Sequence, residues 1–170
     1  KTEVFRRDLL QFATIIKTNK KSFHSRNLHN DRYDFETLIQ NEHSLKEFVK
    51  SNKYGDLSID FADSKAVIAL NKSLLSYFYG IEKWSIPIDY LCSPIPGRAD
   101  YIHHIADLLA TSVSGKILKG KSIKGLDIGM GANCIYPIIG ASVYDWSFLG
   151  SDIDEISIKN AQDIVNQNES

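Results

Sequence analysis

The chain has 170 residues and carries 20 Lys and Arg against 21 Asp and Glu, a formal net charge of -1. That length suits one domain or one and a fraction, and that balance excludes a polycation that coats nucleic acid by bulk charge, though not a local basic patch. Cys92 and Cys134 are the only cysteines and stand far apart, which argues against a disulfide scaffold or a zinc ribbon and suits a reducing cytosol.

No apolar run is long enough to cross a bilayer and no signal-peptide pattern is present. A chain that begins at Lys1 rather than Met reads as a fragment or a trimmed form. Phe5, Leu9, Phe12 and Ile16 recur at helical spacing and predict an amphipathic helix over residues 3–16. Residues 17–33 lack that periodicity and concentrate Lys17, Lys20, Lys21, Arg26 and Arg32 against Asp31 alone; they read as an extended basic arm. Two short helices follow, one from about Asp34 and one at a capping box formed by Ser44 and Glu47. Asp63 can cap a longer helix with Ala66, Leu70, Leu74 and Phe78 on one face and Gly80 at its end. Residues 81–99, with Pro87, Pro94 and Pro96, read as a loop, and Asp100 as the cap of a helix from Tyr101 to about Ser112. A strand over 122–128, a helix from about Ala132 to Val143, a strand over 147–152 and a helix over 154–167 then give β-α-β-α. This is the opening half of a doubly wound α/β sheet. Residues 1–100 thus form a helical N-terminal region, and residues 101–170 the first part of a Rossmann-like domain that stops after its second strand.

The turn between those strands carries the chemistry. Asp127-Ile128-Gly129-Met130-Gly131 ends the first strand, and Phe148-Leu149-Gly150-Ser151-Asp152 ends the second. In such sheets ligands sit beyond the carboxyl ends of the strands. Gly129 and Gly131 let the backbone turn sharply and approach a ligand. Asp127 can hold the loop or reach an amino group, and Asp152 can accept hydrogen bonds from ribose hydroxyls. The pattern points to S-adenosylmethionine. A dinucleotide fingerprint needs a third glycine where Cys134 stands. The plainer alternative is that the glycines only form a tight turn and that Asp152 and Asp154 only cap a helix.

Four blocks carry a more specific signal. They are Asn27-x-x-x-x-Arg32-Tyr33-Asp34, Ser58 to Ala62, Pro94-Ile95-Pro96-Gly97-Arg98 running on to His104, and Leu126 to Pro137 with its Gly131-Ala132-Asn133-Cys134-Ile135-Tyr136-Pro137 core. In order and spacing they resemble the bacterial 23S ribosomal RNA adenine-N6 methyltransferases of the RlmF type, whose eukaryotic relatives act on small nuclear and messenger RNA. The resemblance runs from about Phe23 to Asp152. It implies a class I methyltransferase fold, S-adenosyl-L-methionine as cofactor, and 23S rRNA or a large-subunit precursor as partner in the cytoplasm, with no metal and no membrane. It implies that Arg98 meets the cofactor carboxylate, that Gly129 lines the cofactor, that Asn133 lies at the next helix start, and that Asp152, often Glu in relatives, holds the ribose. The family's catalytic Asn-Pro-Pro-Phe motif occurs nowhere in the 170 residues. The expectation is therefore cofactor-facing residues without methyl transfer by this chain alone.

The arm can supply phosphate contacts through Lys17, Lys20, Lys21, Arg26 and Arg32, with aromatic residues for stacking. His104 and Asp107 share a helix face, but no third ligand completes a metal site. Cys134 at a helix start would have a lowered thiol pKa, though packing is the simpler role. A non-catalytic RNA-binding module, or a methyltransferase for a protein or small molecule, remains the competing reading.

Overall fold

The computed structural model describes residues 22–168. The helix expected over 3–16, and Lys17, Lys20 and Lys21 of the arm, lie outside the described residues.

Helix α1 (Phe35–Asn41) starts where expected, because the Asp34 carboxylate accepts the N–H groups of Glu36 and Thr37, and it buries Phe35 and Leu38. The next turn, a 3-10 helix over His43–Glu47, does not use the expected Ser44–Glu47 box. The chain is extended at Glu42, so Glu42 becomes the cap and its carboxylate accepts the Ser44 N–H. A small antiparallel hairpin follows, β1 (Lys50–Ser51) with β2 (Leu57–Ser58). Helix α2 (Ser64–Tyr79) is capped by Asp63, buries Ala66, Leu70 and Leu74, and ends at Gly80 with φ +71°.

Helix α3 spans Ile95–Thr111, six residues earlier than the Asp100 cap predicted. Pro94 is its N-cap, and Pro96 falls in the first turn, where a missing N–H costs nothing and a fixed φ favours the helix. The prolines that suggested a loop are a helix start. A domain boundary placed between residues 100 and 101 would cut this continuous helix.

The α/β portion is β3 (Lys124–Ile128), α4 (Ile135–Tyr144), β4 (Ser147–Ser151) and α5 (Glu155–Asn168). Strands β3 and β4 are parallel, with Leu126 opposite Leu149 and Asp127 opposite Gly150. One sheet face is closed by α4. Phe148 lies between Gly125 of β3 and Gly140 of α4, and a Cβ on either glycine would stand 2.5 Å from its ring. The other face shows Leu126, Ile128 and Leu149 at 62%, 79% and 69% exposure. A continuous core joins Leu38, Leu45, Leu70, Leu74, Leu75, Ile95, Ile139 and Tyr144 across both portions.

From Ser22 to Tyr33 the chain is not an extended arm. Asn27 and His29 are buried. Asn27 Nδ2 donates to the Pro96 carbonyl at 3.0 Å, and His29 Nε2 pairs with the Tyr79 hydroxyl at 2.8 Å. Arg26 donates through Nε to the Tyr144 hydroxyl at 2.9 Å and through Nη2 to the His103 carbonyl at 3.0 Å and to Asp107 at 2.6 Å. Composition showed its charge; only the fold brings together the acceptors that use it.

Candidate functional site

A cleft of about 260 Å³ opens between the turn after β3 and the first turn of α3. Arg98, Gly129, Gly131 and Asn133 all line it, together with Tyr90, Tyr136 and Ser157. Four of the six residues expected to hold a cofactor thus meet in one place.

The turn is built by β4. Gly129 N–H and Met130 N–H donate to the Ser151 carbonyl at 2.8 and 3.1 Å, and Gly131 N–H donates to Asp152 Oδ2 at 2.9 Å. Gly129 and Gly131 have φ of +73° and +66°, a region that side chains disfavour. A Cβ at either would meet nothing within 4 Å, so backbone conformation rather than crowding demands glycine there.

Asp152 stands beside the cleft rather than in its wall. Its Oδ1 accepts the Asp154 N–H at 3.0 Å while Oδ2 holds Gly131. These backbone donors, Asp154 first, hold its carboxyl below the usual range. Each oxygen keeps a free lone pair for a further donor.

Asp127 sits at the end of β3, one residue before the exposed Ile128. Its Oδ2 is buried with no hydrogen-bond partner among the described residues, and burial raises its carboxyl pKa. A buried acceptor without a donor is costly. A cationic N–H group delivered by a ligand would relieve that cost.

Arg98 stands in the first turn of α3. Its guanidinium lies 5.6 Å from the centroid of Tyr136, and Nη2 is 3.5 Å from Ser93 Oγ. With no carboxylate paired to it among the described residues, it offers its planar fork to an incoming anion.

Long-range bonds fix the rim. Tyr90 donates through its hydroxyl to Asp154 at 2.7 Å, and Asn133 Nδ2 donates to the Leu91 carbonyl at 3.3 Å. Trp84 Nε1 donates to the Asn133 carbonyl at 2.9 Å, and Asn160 Nδ2 to the Ala132 carbonyl at 2.7 Å. The sequence reading missed Tyr90, whose partner lies 64 residues away. Tyr136 stood in the block that carries the resemblance, where an aromatic next to a helix start could have marked it. Cys134 departs from expectation. The departure is in its acidity alone: burial, with Asp127 nearby, pushes the thiol up to about 11 rather than down, and its burial fits the packing role expected of it. No group of three or more His, Cys, Asp or Glu suited to a metal ion is found among the described residues.

A parallel βαβ unit whose cleft lies at the carboxyl ends of its strands, beside a glycine turn, is the opening of a doubly wound α/β fold, and its likeness to solved methyltransferase domains makes it an α/β methyltransferase fold. The chain belongs to the RNA methyltransferase family, whose model matches residues 17–170. It is 61% identical over 151 residues to ribosomal RNA large subunit methyltransferase F of Photobacterium profundum, covering 89% of this chain and 45% of that protein. The chain thus spans a little under half the length of the curated relatives it matches. Among solved structures, the N-terminal domain of human METTL16 in complex with SAH is 36% identical with a TM-score of 0.76, covering 87% of this chain and 56% of that one. The human METTL16 catalytic domain in complex with the MAT2A 3'UTR hairpin 6 is likewise 36% identical, with a TM-score of 0.75, covering 88% of this chain and 50% of that one.

Proposed function

We propose that this chain forms the cofactor-binding portion of a cytoplasmic RNA methyltransferase that uses S-adenosyl-L-methionine to methylate N6 of an adenine in 23S rRNA. The observation that carries the reading is the buried Oδ2 of half-buried Asp127, which has no hydrogen-bond partner among the described residues, set just before a glycine turn that shares its cleft with Arg98. The methionine end of the cofactor bears an ammonium and a carboxylate, and this is the pair of charges that such a donor set accepts. The relatives named for ribosomal RNA and the neighbours solved with SAH and with an RNA hairpin support the same reading.

When bound, S-adenosyl-L-methionine supplies an electrophilic methyl on sulfonium. The residues of this chain hold and orient. Arg98 takes the carboxylate, Asp127 the amino group and Asp152 the ribose hydroxyls. Gly129 and Gly131 admit the backbone to close approach, and Asn133 holds the rim through Leu91. This placing of reactants is the part of catalysis that comes from proximity. Adenine N6 is a poor nucleophile, because its lone pair is delocalised into the ring. The Asn-Pro-Pro-Phe groups that would accept its hydrogens and stack the base are absent from these 170 residues, so this chain binds the cofactor without turnover. Lys17, Lys20, Lys21 and Arg32 are the proposed phosphate contacts. Arg26 leaves that set because it is spent on Asp107, Tyr144 and His103. Arg32 stays in the set, since only its Nη1 is paired, with Asp56 at 2.6 Å, and its side chain is largely exposed.

The test is calorimetric titration of S-adenosyl-L-methionine into the chain and into Arg98→Glu, Asp127→Asn and Asp152→Ala. Arg98→Glu and Asp127→Asn are expected to weaken binding at least tenfold and Asp152→Ala several-fold. Equal affinity in parent and all three variants overturns the site, and methyl transfer to rRNA by the unaltered chain overturns the expected lack of turnover.

A further inference from the structure

A second groove, of about 670 Å³, lies between the Phe23–Glu36 segment, the β1–β2 hairpin and Phe61. Its charge is opposite to what an RNA surface needs. Among the described residues that line it, four carboxylates (Asp31, Asp34, Glu36 and Asp56) face one cation, Arg32. Tyr54 and Phe61 line it too and are 75% and 67% exposed. Two large rings are thus open to solvent beside several carboxylates.

We propose that this groove is a docking site for an extended arginine-rich segment of another protein. Phosphates would be repelled by the carboxylates, whereas guanidinium groups meet both features at once. They stack on aromatic faces and pair with carboxylates through a planar fork. The chain already places a cation of its own on one carboxylate and on one ring. Arg32 Nη1 reaches Asp56 Oδ2 at 2.6 Å, and Lys53 Nζ lies 5.0 Å from the centroid of Tyr54. The Arg32 side chain is largely solvent-exposed, so an incoming arginine can take its place on Asp56 and leave it to water at little cost. Asp34 is committed to capping α1, which leaves Asp31, Glu36 and Asp56 as the anions for the guest. The inference does not rest on the cofactor reading, since none of these residues lines that cleft.

The experiment is fluorescence anisotropy of a labelled decapeptide of alternating Arg and Ser, titrated with the 170-residue chain at low salt. A peptide with Glu in place of Arg is the control, and a uridine decamer is titrated separately. The parent is expected to bind the arginine peptide and not the Glu control, and to weaken steeply with added salt. Tyr54→Ser with Phe61→Ser, and separately Glu36→Gln with Asp56→Asn, should each lower peptide affinity at least tenfold. Affinity for S-adenosyl-L-methionine should stay unchanged, because none of these residues lines that cleft, and the unfolding midpoint should change little, because Tyr54, Phe61 and Glu36 are exposed and Asp56 is paired only with the largely exposed Arg32. Peptide affinity that is the same in parent and both double variants overturns the proposal. So does loss of uridine-decamer binding in those variants, which assigns the groove to RNA.

Discussion

The two faces of the β3–β4 pair are made by the same ten residues and could hardly differ more. The face toward α4 is closed by one ring, Phe148, for which two glycines leave room, and beyond α4 the packing continues through Tyr144 to His103 and Arg26. The other face presents Leu126, Ile128 and Leu149 to solvent. Parallel strands are found almost only in sheets covered on both faces, and among the described residues only one face of this pair is covered. On the closed side buried polar groups are held between helices. His103 Nδ1 pairs with the Tyr144 hydroxyl at 2.7 Å, while His103 Nε2 is buried without a partner among the described residues.

The contrast can be broken most forcefully with acid. His29 and His103 are buried as neutral rings, which lowers the pKa of each from 6.5 to about 4. Between pH 6.5 and 4 the unfolded chain therefore binds more protons than the folded one, and stability falls as pH falls through that window. Above pH 6.5 these two groups contribute no slope. Urea midpoints measured from pH 7.5 to 4 should decline below 6.5, and His29→Gln should remove about half of that decline; a flat profile means that these histidines are not held neutral.

Phe148→Ala comes next. Removing the ring opens space against both glycines and is expected to cost about 3 kcal/mol in urea unfolding. A loss under about 1 kcal/mol would mean that the ring does not close this face. Tyr144→Phe is smaller, about 1–2 kcal/mol, because it strands Arg26 Nε and His103 Nδ1 without removing apolar contact. The smallest effect belongs to the open face. Leu126→Thr with Leu149→Thr should change stability by no more than about 0.5 kcal/mol. It should also reduce self-association in light scattering, since an exposed apolar face invites association. A large destabilisation there would show that the open face is covered in solution.

What could be read from the amino acids followed how local the cause was. Asp34 and Asp63 as caps, Gly80 as a helix end, and the two strands flanking the glycine turn depend on neighbours within a few residues, and all stand as expected. The Asp127 to Gly131 turn was legible for the same reason. Pro94 and Pro96 were misread because proline serves both loops and first helical turns, and only the packing of Ile95 decides between them. Arg26 was misread because its carboxylate partner lies 81 residues along the chain. Tyr90 was invisible for a similar cause, as its role rests on Asp154.

Trp84, whose indole N–H grips the carbonyl of Asn133 at the rim of the cleft, equips the protein with an optical gauge of its own. The second tryptophan, Trp146, donates instead to Leu118 and can be silenced by Trp146→Phe. The emission that remains then comes from one indole, and its colour and intensity follow whatever enters beside Asn133, with no dye attached.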